Sequence, residues 1–211
     1  MNGHMKPADI EKRSFAIITE ELGGRTFPES VAEVVKRVIH TSADFDYADN
    51  LCFSPDAVEQ AKAALEAGAT IVTDTNMALA GISKPTLAKL GGKAVCLMAD
   101  EDVAREARTR GVTRATVSME HAAKLDGPLI FAIGNAPTAL IRLHELIGEG
   151  AVSPALVIGV PVGFVNVVES KELFIGGDTP YIIARGRKGG SNVAAAIVNA
   201  LLYQIVKREG F

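Results

Sequence analysis

The stretch Leu129-Ile130-Phe131-Ala132-Ile133-Gly134-Asn135-Ala136-Pro137-Thr138-Ala139-Leu140 decides the fold. Its first five residues are apolar without alternation, the pattern of a strand buried on both faces. Gly134 and Asn135 break the run, and a helical pattern then extends over 136–148 and ends in a glycine. The same passage recurs twice. Residues 155–160 run into Pro161-Val162-Gly163-Phe164-Val165-Asn166, and 181–184 run into Arg185-Gly186-Arg187-Lys188-Gly189-Gly190-Ser191-Asn192. A last helix follows over about 192–207.

Working outward, further apolar, β-branched segments at 70–73, 94–98 and 115–119 read as strands. Helices are expected over 30–39, over 56–67 behind Ser54-Pro55, and over 101–110. The first 50 or so residues are mostly helical and precede the sheet. There is no internal repeat, low-complexity tract or linker. The expectation is a single three-layer α/β/α domain with a mostly parallel sheet and a helical N-terminal segment.

A chain of 211 residues buries roughly 70% of its unfolded surface. With 48% apolar residues, 5% aromatics and no Trp, the core must be built from Ala, Val, Ile and Leu. A net charge of −3 without a long basic run argues against a general nucleic-acid binder, yet leaves room for a local positive pocket. Cys52 and Cys96 form no CxxC pair and read as buried free thiols in a reducing cytoplasm. His40, His121 and His144 lack metal-site spacing, so no metal is expected. The longest apolar stretch, 155–168, is broken by Gly, Pro and Asn and falls short of the ~20 residues a membrane span takes. The polar start shows no signal-peptide pattern. Met1-Asn2-Gly3-His4 precede a second methionine, Met5, and read as an added remnant, so His4 is set aside.

In open α/β sheets, ligands sit outside the carboxyl ends of the strands. Three loops fall there, each coupling Gly with a polar or basic group at a helix start, where backbone N–H groups attract anions. They suggest a pocket for a polyanionic small molecule, although each alone could simply make a tight turn. Arg185, Arg187 and Lys188 cluster in the third loop. No GxGxxG, no GK[ST] ending and no GxSxG is present, which argues against a dinucleotide fingerprint, a P-loop and a serine hydrolase.

The run at 30–39 is apolar at 31, 34, 35 and 38, one face of a helix. His40 follows at its end, where unpaired carbonyls favour a protonated imidazole. That suits a proton donor; a cap or packing role is the plain alternative. Asp44 and Asp46 either orient His40 or are solvated loop residues. Asp74 reads as the N-cap of the next helix or as a pocket wall. His121 follows an expected strand, and His144 reads as a surface or packing residue.

These residues resemble the precorrin-8X methylmutase family of cobalamin biosynthesis, from about Ile10 to the C-terminal helix. The resemblance is carried by 10–18 (IEKRSFAII), Arg37-Val38-Ile39-His40, Phe53-Ser54-Pro55, and Thr73-Asp74 with Met77 and Gly81. It continues through 134–140 (GNAPTAL), 159–165 (GVPVGFV) with Glu169-Ser170-Lys171, and 185–191 (RGRKGGS). The resemblance implies a flavodoxin-like sheet and an isomerase that moves a methyl group between neighbouring ring C carbons of a corrin. The product would be hydrogenobyrinic or cobyrinic acid. It implies no cofactor, a homodimer with shared active sites, and contact with neighbouring pathway enzymes. His40 would be the proton donor to the ring C nitrogen. Arg13, Arg37, Arg114, Arg185, Arg187 and Lys188 would meet the substrate's carboxylates, together with Asn135, Ala136, Pro137 and Thr138, Gly189 and Gly190, while Ser14 would hydrogen-bond the macrocycle. The stretches 187–196 and 40–42 lean toward the cobalt-containing substrate. The rival expectation is a corrin carrier that binds without converting.

Overall fold

In the computed structural model, which describes residues 7–207, helices and strands alternate along most of the chain. The order is α1 (Pro7–Leu22), α2 (Glu29–Ser42), α3 (Tyr47–Asn50), β1 (Leu51–Phe53), α4 (Ala57–Glu66), β2 (Thr70–Thr73), α5 (Asn76–Gly81) and α6 (Lys84–Lys89). It continues with β3 (Lys93–Val95), a 3-10 turn (Leu97–Ala99), α7 (Glu101–Arg110), α8 (Arg114–Ala122), β4 (Leu129–Ile133) and α9 (Pro137–Gly148). The last elements are β5 (Leu156–Gly159), α10 (Val167–Glu172), β6 (Tyr181–Ala184) and α11 (Ser191–Ile205). The remnant read at 1–4 lies outside the described residues.

The strands form one sheet in the order β1-β6-β5-β4-β2-β3. All pairs are parallel except β1, which closes one edge antiparallel to β6. The five parallel strands carry the doubly wound order of the flavodoxin-like type. Side chains leave a strand on alternate faces. In β4, Ile130 and Ala132 join a core with α2, α4 and α11. Leu129, Phe131 and Ile133 join a second core with α8 and α9. Both faces are therefore covered, which is why the central strands are apolar throughout.

The first core depends on small residues. Ala194, Ala195, Ala196 and Ala200 of α11 are buried, and α2 and α5 pack on that helix. From α2, Val34, Val35, Val38 and Ile39 are buried.

Several expectations need correction. Residues 115–119 are not a strand but part of α8. Ala115, Ser118, Met119 and Ala122 are buried, the i, i+3, i+4, i+7 set, and Thr113 caps the helix by accepting from the Thr116 N–H at 3.1 Å. His121 thus lies on a helix rather than after a strand. In the segment at 94–98 the strand ends at Val95, and after Cys96 the chain enters the 3-10 turn. Cys52 and Cys96 are free but only half-buried. Among the described residues, no helix is long and apolar enough to cross a membrane.

Candidate active site

The parallel strands deliver three loops to one edge of the sheet, and the loops interlock. Gly134 lies so close to the start of α11 that a side chain there would meet the Ser191 backbone at 2.7 Å. Gly189 lies against the end of β5, where an added Cβ would come within 2.1 Å of the Val160 carbonyl oxygen. These glycines serve close approach of backbone to backbone.

At the topological switch point between β2 and β4, the Asp74 carboxylate accepts from the backbone N–H groups of Gly134, Asn135 and Ala136 at 2.9, 2.8 and 2.6 Å. Asp74 is 1% exposed. Burial pushes its carboxyl up from the usual range, against the three N–H donors that favour the charged form. It is not the cap of α5; Thr75 takes that place, accepting from the Ala78 N–H at 3.0 Å. The N–H groups of Asn135 and Ala136, expected to meet a ligand, are thus already engaged by the protein's own carboxylate. The Asn135 side chain is exposed, while Ala136, Pro137 and Thr138 are half-buried. Thr138 accepts a hydrogen bond from Thr113 at 3.0 Å, which brings it beside exposed Arg114 at the start of α8.

The second group of residues gathers where α2 ends. The helix runs to Ser42 and stops at Ala43 in the left-handed conformation. His40 is therefore in its last turn, exposed, with its ring 5.4 Å from that of Phe15 on α1. A cleft of about 290 Å³ opens beside it, lined by Ser14, Ile18, His40 and Phe45 among others. The Ser14 hydroxyl donates back to the Ile10 carbonyl at 3.0 Å. Arg37, one turn before His40, pairs with Glu11 at 2.6 Å and lies over the rings of Phe15 and Tyr203. It staples α1 and α11 to α2. Arg13 is exposed on α1.

The loop after α2 is shaped by its own side chains: the Asp44 N–H donates to Ser42 and the Asp46 N–H to Asp44. Both carboxylates accept from Lys188 Nζ at 2.6 Å. Asp44 and Asp46 are thus committed to a lysine of the basic loop, and neither bonds to His40. Lys188 holds the Asp44 carboxyl below its ordinary range, and the two acids raise the lysine. Arg187 points outward over Phe164 at 5.4 Å, and Phe164 is itself 81% exposed. Arg185 pairs with Glu172 at 3.3 Å.

The arrangement brings His40, Ser14 and Lys188 to one corner of the molecule, and Thr138 and Arg114 to another corner of the same edge. His121 is drawn off to Glu106 at 2.9 Å, and His144 packs edge-on to Phe174. Sequence reasoning gave no individual role to Phe15, which flanks His40, or to Thr113, which joins Thr138 to α8. Among the described residues there is no group of three or more metal-ligating side chains. The edge thus offers cations, exposed apolar groups (Met77, Val162, Phe164 and Val165) and one imidazole. That combination suits a large anionic ligand with an apolar body and a proton to receive.

Comparison with known proteins agrees. A family model described as precorrin-8X methylmutase matches residues 9–204. The chain is 48% identical to a cobalt-precorrin-8 methylmutase of Salmonella typhimurium over 206 residues, 95% of this chain and 96% of that one. A cobalt-precorrin-8 methylmutase of Priestia megaterium is 45% identical over 93% of this chain and 88% of its own. A precorrin-8X methylmutase of Pseudomonas aeruginosa is 42% identical over 91% and 93%. The solved structure of precorrin-8X methylmutase from Thermus thermophilus superposes with a TM-score of 0.85 at 41% identity, covering 92% of this chain and 94% of that one. With its fold, its basic carboxyl edge and its sequence all in accord, this chain belongs to the precorrin-8X methylmutase family.

Proposed function

We propose that this enzyme moves a methyl group between neighbouring ring C carbons of precorrin-8X or cobalt-precorrin-8, giving hydrogenobyrinic or cobyrinic acid, with His40 protonating the ring C nitrogen. The observation that carries this reading is the double ion pair of Lys188 with Asp44 and Asp46. It ties the loop that follows His40 to the basic loop, so that a proton carrier and the groups suited to a polycarboxylate belong to one corner of the fold.

The migration is intramolecular, so its atoms balance without a cofactor once the ring C nitrogen has returned its proton to His40. Protonating the ring nitrogen draws electron density from the conjugated system and eases the shift. An imidazole can hold and give a proton at neutral pH. Arg187 meets carboxylates through a planar fork, which adds orientation to charge. Holding the macrocycle in one tautomer contributes further.

The cleft beside His40, about 290 Å³, falls just below the ~300–1,000 Å³ typical of small-molecule pockets. A corrin with its acetate and propionate arms is larger than a usual ligand. A second copy of the chain supplying the remaining walls accounts for this, and the exposed Phe164 and Val165 would then be covered. A homodimer with shared sites is part of the proposal.

The test is a visible spectrum of purified protein mixed with precorrin-8X and, separately, with its cobalt form. Migration restores conjugation across ring C and shifts the absorption. Conversion of either form is the expected result, and the faster one identifies the working substrate. Binding of both forms by folded protein without conversion would replace the enzyme by a corrin carrier.

A further inference from the structure

Asp74 and Lys171 are the two charged side chains buried among the described residues, at 1% and 0% exposure. Asp74 serves the switch point. Lys171, on the short helix α10, has no part in the chemistry described above. Its Nζ donates to two backbone carbonyls, those of Gly186 and Lys188, each at 2.8 Å. No carboxylate lies within ion-pair reach of it among the described residues. An apolar side chain of the same length would fill the space without the cost of burying an ammonium.

The two carbonyls flank Arg187. The Arg187 carbonyl between them accepts from the Gly163 N–H at 3.2 Å. Three consecutive carbonyl oxygens of the basic loop are thus taken by the segment from Gly163 to Lys171. A carbonyl oxygen repels a carboxylate, so a loop that binds one must turn its oxygens elsewhere. The loop is also glycine-rich, with Gly186 at φ +76° and Gly190 at φ +135°, and such a backbone is not self-ordering. Its outward side chains are Lys188 on Asp44 and Asp46, and Arg187 over Phe164.

We propose that Lys171 is a positioning residue for the substrate's carboxylates: its ammonium holds the Gly186 and Lys188 carbonyls inward, so that the loop presents Arg187 rather than its own oxygens and keeps Lys188 on Asp44 and Asp46. This rests on reading the basic loop as the carboxylate-binding part of the site. Burial pushes the Lys171 ammonium down to about 8. Even a neutral amine keeps two N–H donors for the two carbonyls, so the brace does not depend on the charge alone.

The experiment compares wild type with Lys171→Met, Lys171→Gln and Lys171→Arg. Folding is checked by circular dichroism, loop order by limited trypsin cleavage at Arg185, Arg187 and Lys188, and binding by titration with hydrogenobyrinic acid. Turnover of precorrin-8X gives the kinetic constants. Lys171→Met should be cleaved in this loop about tenfold faster and raise KM and the hydrogenobyrinic acid Kd about tenfold, with kcat within about twofold. Lys171→Arg should recover part of both, and Lys171→Gln carries the test if the methionine variant does not fold. A folded variant with wild-type cleavage and wild-type Kd overturns the proposal, as does a fall in kcat at unchanged KM. Wild type that binds hydrogenobyrinic acid without turning over either precorrin-8X or its cobalt form would contradict the methylmutase reading alone, because cleavage and binding still test the brace.

Discussion

Arg187 is held outward by its neighbours, and its guanidinium touches an exposed ring rather than a carboxylate. Replacing it with Ala should weaken corrin binding about tenfold at low salt and less at high salt, because the lost attraction is screened. Titration at two ionic strengths checks this; equal affinity at both excludes the contact. Asp44 gives a pH signature. Its carboxyl is held low by Lys188, so its stabilising effect is present above the unfolded value near 4 and is lost as pH falls through the lower folded value. Lys188→Ala should lower Tm by ~2 °C or less at neutral pH, as expected of an exposed pair, and the difference should vanish in acid. Lys171 has a slope of the same sign, in a higher pH window. The folded state binds its proton less well than the unfolded state, from about 8 up to ~10.4. Wild-type stability relative to Lys171→Met should therefore rise between those pH values, by at most on the order of 3 kcal/mol. Denaturant melts at pH 7 and pH 10 measure it. The place of His40 was legible, because the helix whose last turn it occupies has a clear period. The partner of Asp44 and Asp46 was not, because it is 144 and 142 residues away. Nothing in the sequence around Lys171 distinguishes a buried lysine from a solvated one.

Among elements, β4 and β6 were legible to the residue, since a fully covered strand leaves an unbroken apolar run. The reading failed where the run was short. In α8, Thr116 and Val117 mimic a strand, while buried Ser118 interrupts the apolar face that marks a helix. β1 spans only Leu51–Phe53 at an edge and has no pattern to read. The switch point also depends on contacts between elements. Asp74→Ala would leave the N–H groups of Gly134, Asn135 and Ala136 without their acceptor. The loss should be about 2–4 kcal/mol, measured by urea unfolding, with partial relief where water reaches Asn135. Little loss would mean that the turn holds itself. Gly189→Ala must move the basic loop off the Val160 carbonyl, and should cost about 1–3 kcal/mol and raise KM.

For the molecule as a whole, the doubly wound sheet sets where chemistry can occur, because all five parallel strands point their loops to one edge. Alternation of strand and helix made this architecture readable. The proposed homodimer has no signature in periodicity, since a surface that met a second copy would look like any other exposed face. Sedimentation should give a particle of about twice the 22.2 kDa chain mass, and specific activity should fall on dilution if sites are shared. The central claim is that His40 supplies the proton for methyl migration. The most direct test is a single turnover with enzyme in excess over precorrin-8X, comparing wild type with His40→Ala while binding is monitored in the same mixtures. Loss of a general acid predicts conversion slowed by about 10²–10⁴-fold with substrate still bound. Conversion by the folded variant within a few-fold of wild type would contradict the account.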